Sequence, residues 1–314
     1  MASTGYKLVQ LANGARGIHS LADGETMHPV TGPDAESALL YVNQLRLAQR
    51  IREFPGEFVI WDVGLGGAAN ALAVLRATRH LNCVIRIISF DHTLEPLQFA
   101  LNHAGALGYF DGYESRTQTL LERHRVSFQD AERRVEWEFQ PGDFPRLLAR
   151  LRAAAPARFA DGCQCAAGIL PSGETEESSA DGIVSLPAPH AIMFDPFSPA
   201  KNPAMWTLPM FENLFRLLNP ARPCALATYS RSTMTRAALL LSGFHVAAGR
   251  ASGGKEETTI AGNTPELIGE PLDRKWLERA RRSHSAEPLR EPVYRQAPLV
   301  PATWAELQRH RQFQ

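Results

Sequence analysis

Phe58-Val59-Ile60-Trp61-Asp62-Val63-Gly64-Leu65-Gly66-Gly67-Ala68-Ala69 is the stretch that decides how this chain is read. An apolar run ends in an acid, closely spaced glycines follow, and residues 68–79 then carry apolar side chains at helical spacing. The order is strand, tight turn, helix. Gly64-x-Gly66-x-x-Ala69 satisfies the loose nucleotide-binding fingerprint, in which glycines let a ligand approach the backbone at a helix N-terminus.

Working outward, the theme repeats. Residues 84–90 read as a second buried strand closed by Asp91, twenty-two positions past Ala69, followed by a helix over 96–107. A carboxylate at that strand end can accept both ribose hydroxyls of a nucleotide cofactor. Further along, helices are expected at 120–126 and 145–155 around a strand at 135–139. A strand at 190–194 closes with Asp195, then come a helix (208–218), a strand (224–229), a helix (232–241) and an antiparallel pair (244–249 with 257–261). Upstream, residues 5–33 read as strand and turn, and a helix begins after Asp34. The pattern predicts a Rossmann-like α/β fold, mostly parallel, with helices on both faces and a C-terminal antiparallel hairpin. It divides the chain into an extension (1–54), a core (55–262) with an insertion at 156–190, and a basic tail (263–314). The insertion is rich in Gly, Ser, Pro and Ala and carries five acids, which predicts a solvated loop.

Bulk properties exclude several classes. With 44% hydrophobic residues in 314, the chain can bury a full core. No apolar run approaches a membrane span and the first residues lack a secretory pattern, so a cytoplasmic protein without membrane contact is expected. Cys83, Cys163, Cys165 and Cys224 follow neither disulfide nor zinc spacing. Formal charge is zero, although residues 271–314 hold nine Lys/Arg against five acids.

The acids at the strand tips choose the cofactor. Asp62 before the glycine turn would oppose a pyrophosphate but suits the cationic methionine end of S-adenosylmethionine (SAM). Asp143, in Pro141-Gly142-Asp143-Phe144, can accept from an adenine amino group and can also cap the next helix. SAM is therefore expected, held by Asp62, Gly64, Gly66, Asp91 and Asp143.

The loop Asp195-Pro196-Phe197-Ser198-Pro199, continued by Asn202-Pro203-Ala204-Met205-Trp206, resembles the acid-Pro-aromatic segment of amino-methylating enzymes. Together with Gly24-Glu25-Thr26-Met27-His28 and Ala227-Thr228-Tyr229-Ser230, it resembles the methyltransferase domain of the MnmC family, in the form lacking the oxidase domain. The resemblance covers roughly residues 5–290 apart from the insertion. It implies methylation of the amine of 5-aminomethyl-2-thiouridine at the tRNA wobble position, with the amine supplied by a separate enzyme. Asp195 is then the expected catalytic residue, positioning the amine and assisting its proton loss. Phe197 and Trp206 are expected to stack on the base, with Lys201, Tyr229 and Glu36 completing the substrate site and His28 closing over it. Where the family reads Thr-Gly, this chain has Gly67-Ala68, and the Ala68 methyl is expected to narrow the cofactor site. Another amine substrate is the principal alternative, followed by an NAD-dependent oxidoreductase and a non-catalytic RNA-binding protein.

Overall fold

The computed structural model describes residues 5–154, 186–251 and 257–314. Most of the 156–190 insertion, with Cys163 and Cys165, and the link between the two expected strands at 244–249 and 257–261 lie outside them.

Three short strands, β1 (Tyr6–Gln10), β2 (Arg16–Ser20) and β3 (Glu25–Thr26), form an antiparallel sheet ahead of the core. Helix α1 (Pro33–Ser37) runs into a π-helical segment (Ala38–Asn43). Arg46, at φ 51°, then breaks the expected continuous helix before α2 (Leu47–Glu53).

The core alternates as predicted: β4 (Glu57–Val63), α3 (Ala69–Ala77), β5 (Val84–Asp91), α4 (Glu95–Asn102), α5 (Ala104–Leu107) and α6 (Glu114–Arg123). Next come β6 (Arg125–Asp130), β7 (Arg133–Pro141), α7 (Phe144–Ala154), β8 (Ala191–Phe194) and α8 (Leu208–Leu217). It ends with β9 (Ala225–Thr228), α9 (Thr233–Leu241), β10 (His245–Gly249), β11 (Thr258–Gly262), α10 (Arg274–Arg281) and α11 (Pro301–Gln308). Eight strands form one sheet in the order β10-β11-β9-β8-β4-β5-β7-β6. The five from β9 to β7 are parallel, while β6 and the β10–β11 hairpin add antiparallel edges.

Strand alternation splits the core in two. Phe58 and Ile60 face one apolar layer with α3, α4 and α6; Val59, Trp61 and Val63 face the other, with α7, α8 and α9. The sequence expectation differs from the structure at residues 120–126. Helix α6 ends at His124, φ 56°, and Arg125 to Asp130 pair with β7, because Val126 and Phe128 alternate with polar residues on an edge strand. Residues 263–314, read as a basic tail, are also packed. Trp276, Leu277, Leu307 and Phe313 are buried in the second layer, and the Gln312 side chain pairs with both backbone groups of Val246 on β10. Among the described residues, no helix is long and apolar enough to cross a membrane.

Candidate active site

The chain leaves β4, builds β5 and β7 on one side, then returns to place β8 on the other. That reversal opens a crevice beyond the C-terminal ends of β4 and β8, where ligands bind in doubly wound sheets. A cavity of about 790 Å³ occupies it, within the usual range for a small-molecule site.

On one side of the crevice the glycine turn is tied to β5. Gly64 and Leu65 donate to the Phe90 carbonyl at 2.9 and 3.2 Å, and Gly66 donates to Asp91 Oδ2 at 3.0 Å. Close approach explains the glycines. A Cβ on Gly64 (φ 92°) would lie 2.6 Å from the Asp195 carbonyl oxygen; one on Gly67 would lie 2.7 Å from the Tyr109 hydroxyl. The turn is thus pressed against protein as well as open to a ligand. Ala68 adopts φ 63° at the start of α3 and is fully buried in the core. Its methyl does not line the cavity, so the expected narrowing of the cofactor site does not arise from it.

Of the residues expected from sequence, Gly64, Gly66, Asp91, Asp143, Asp195, Phe197, Tyr229, Glu36 and His28 line the cavity. Asp62, Lys201 and Trp206 do not. Trp206 is 1% exposed, edge-on to Phe194 and Tyr229, and its Nε1 donates to the Phe197 carbonyl at 2.9 Å. It braces the loop from behind and presents no face on which a base could stack. Lys201 is exposed on the same loop, outside the cavity.

Asp62 is completely buried and accepts a 2.8 Å hydrogen bond from Ser89, while its Oδ1 has no partner among the described residues. Burial, reinforced by Asp195 and Asp91 and opposed by the Ser89 hydrogen bond, pushes its carboxyl up to about 8. The unfolded carboxyl ionises near 3.8, so between that value and about 8 the folded chain holds the additional proton. Stability contributed by this group is therefore present at low pH and lost as pH rises through that window. Asp62→Asn should abolish the slope, which is at most about 1.4 kcal/mol per pH unit. Urea denaturation of both proteins across the window checks this, and parallel stability curves would contradict it.

Beside His28, the site also holds residues that sequence reading missed. Asn70, 2% exposed at the start of α3, donates to Asp195 Oδ2 at 2.8 Å. His28 Nε2 lies 3.7 Å from the same oxygen, and His28 itself is held at φ 51°. The Tyr41 hydroxyl, in the π-helical segment, donates to the Phe194 carbonyl at 3.4 Å, next to Asp195 in sequence. Burial, then the Asp195 charge, drives the Tyr41 hydroxyl well above its ordinary value, which keeps it a donor. Glu25 on β3 accepts from both the backbone N–H and the hydroxyl of Ser198, tying the first sheet to the β8 loop. Only the buried polarity of Asn70 within the apolar helix start was a local signal for any of these.

The lining acids are Glu25, Glu36, Asp91, Asp143 and Asp195; among the described lining residues there is no lysine or arginine. Such a donor set suits a sulfonium and an ammonium and opposes a pyrophosphate. Asp91, at the tip of β5, would hold ribose hydroxyls, its oxygens already oriented by the Gly66 and His92 N–H groups. Asp143 caps α7 by accepting from Arg146 N at 2.8 Å and lines the cavity beside Phe144 and Pro145, where an adenine would fit.

Comparisons with known proteins agree with this geometry. Residues 183–264 match the family model described as S-adenosyl-L-methionine-dependent methyltransferase. The bifunctional protein MnmC of tRNA 5-methylaminomethyl-2-thiouridine biosynthesis from Cupriavidus necator is 28% identical over 239 residues, 71% of this chain and 30% of its own length. The protein of the same name from Aeromonas salmonicida is 35% identical over 259 residues, 77% of this chain and 32% of its own. The chain therefore spans about a third of the length of these curated relatives. The crystal structure of MnmC2 from Aquifex aeolicus shares the fold, with a TM-score of 0.63 at 23% identity over 98% of this chain and 85% of that one.

This is a SAM-dependent methyltransferase domain, similar to that of MnmC. SAM is its cofactor, and the carboxylate-lined crevice of the MnmC-like domain has the chemistry to receive it. Asp91→Ala is expected to weaken SAM binding by about 1–3 kcal/mol, the scale of a lost buried acceptor. Calorimetry measures this directly, and an unchanged affinity would remove the β5 tip from the cofactor site.

Proposed function

We propose that the chain transfers a methyl group to the primary amine of 5-aminomethyl-2-thiouridine at the tRNA wobble position. The observation that carries this reading is Asp195, a carboxylate at the tip of β8 facing a cavity that its lining acids make attractive to cations. The names of the relatives, which concern biosynthesis of this nucleoside, support the choice of substrate.

Bound SAM supplies an electrophilic methyl on a sulfonium. The protein must bring an unprotonated nitrogen to it. An ammonium has no lone pair, so Asp195 orients the substrate amine and assists loss of its proton. Alignment then contributes much of the rate, because reacting groups held together no longer have to find each other. Tyr229 donates to the Pro196 carbonyl at 2.9 Å, stiffening the loop that carries Asp195. Phe197 lines the cavity from that loop and offers the aromatic face for the extruded base. Lys201, exposed just outside, is placed to meet phosphate. Glu36 completes the acidic wall.

In this reading, residues 55–262 form the catalytic core, 1–54 an extension that closes one wall and 263–314 an appended segment. A separate enzyme supplies the amine, and the reaction takes place in the cytoplasm with tRNA. The test is transfer of labelled methyl from SAM to tRNA taken from a strain lacking this modification step. Label is expected in the wobble nucleoside. Label on a small amine but none on tRNA would turn the reading to another amine substrate.

A further inference from the structure

Asp195 is held by a buried chain that begins on α1. The Ser37 hydroxyl donates to Asn70 Oδ1 at 2.7 Å, and Asn70 Nδ2 donates to Asp195 Oδ2 at 2.8 Å. Ser37 is fully buried and Asn70 nearly so. In this arrangement the amide oxygen of Asn70 faces the Ser37 hydroxyl and its NH2 faces the Asp195 carboxylate, so one side chain bridges α1 to the tip of β8.

A polar side chain at this position is costly unless every partner is satisfied. The neighbours of Asn70 in Ala68-Ala69-Asn70-Ala71-Leu72-Ala73 are apolar and buried, and an apolar residue would serve packing as well. What the amide adds is its grip on Asp195. We infer that Asn70, oriented by Ser37, is a positioning residue that holds the Asp195 carboxylate in a fixed orientation toward the substrate amine. The inference rests on the amine-methylation reading for its consequence, but the grip itself concerns only residues of this chain.

The experiment compares Asn70→Asp, Asn70→Leu and Ser37→Ala with the unaltered chain. Asn70→Asp keeps the shape of asparagine while replacing the donor by a second carboxylate, so its effect is not one of packing. The expected result is a fall in kcat of about 10- to 100-fold for the Asn70 variants, the effect of misplacing a reacting group by roughly an ångström. A smaller fall of the same kind is expected for Ser37→Ala. SAM affinity by calorimetry should stay within about twofold. Crystal structures of Asn70→Leu and Ser37→Ala should show the Asp195 carboxylate rotated from its present position. A merely structural role would lower melting temperature, SAM affinity and kcat together and leave the carboxylate in place, and that outcome overturns the inference. If the unaltered protein does not methylate the tRNA amine, the proposed function fails. The position of the carboxylate in the variants still decides the role of Asn70.

Discussion

Asp195→Ala is expected to lower methyl transfer to aminomethyl-bearing tRNA by about 10²- to 10⁴-fold, the range of a lost acid–base group, while SAM binding survives. The reason lies in where the side chain stands. It is the acid on the β8 side of the crevice, whereas the groups proposed to hold the cofactor's ribose and adenine, Asp91 and Asp143, follow β5 and β7. Its carboxylate is gripped by Asn70 and approached by His28, so a positioned carboxylate disappears with it. Single-turnover transfer of labelled methyl, with calorimetric titration of SAM in parallel, separates the two effects. Full turnover by the variant would take Asp195 out of the mechanism, and loss of SAM binding would move it to the cofactor site.

Gly64→Ala should destabilise the fold by about 2–5 kcal/mol, combining the cost of an L-residue at strongly positive φ with that of overpacking. Gly64 sits at φ 92°, and the added methyl would overlap Asp195 O at 2.6 Å and Asp195 C at 2.9 Å. Both are main-chain atoms and cannot swing aside, so the β8 loop must move. Gly66→Ala provides the comparison. Its φ is 49°, and its methyl would meet the Met27 sulfur at 3.2 Å, near the end of a flexible side chain. Its cost should be smaller, about 1 kcal/mol. Urea denaturation of the two variants gives the difference directly. Equal destabilisation would mean that the glycine turn and the Asp195 loop are not in contact.

Much of this was legible in the sequence. Strands β4, β5, β8 and β9 declare themselves as short apolar runs, because each is covered on both faces. The acids closing β5 and β8 mark the strand tips, and the glycine turn marks the crevice. Edge strand β6 was hidden, since its sparse apolar residues follow directly on α6 and read as its continuation. Trp206 was misplaced for a different reason. In a proline-rich loop no periodicity says which way an aromatic side chain points, and here it points into the second apolar layer. Ser37 and Tyr41 were invisible because each acquires its role only through a group more than a hundred positions away in sequence or through one that has, and Asn70 showed only as a polar residue in an apolar helix start.

The separations along the chain carry a last consequence, for the order of assembly. Glu25 meets Ser198 across 173 positions, Tyr41 meets Phe194 across 153, and Asn70 meets Asp195 across 125. Closing such long loops is entropically unfavourable until the elements between them have formed. The crevice is thus completed only after β8 emerges and docks beside β4, and the early segment waits for it. A small molecule that binds there binds only the finished protein and pulls the folding equilibrium toward it. Occupancy of the crevice therefore reports that the segments from β1 to β9 have come together.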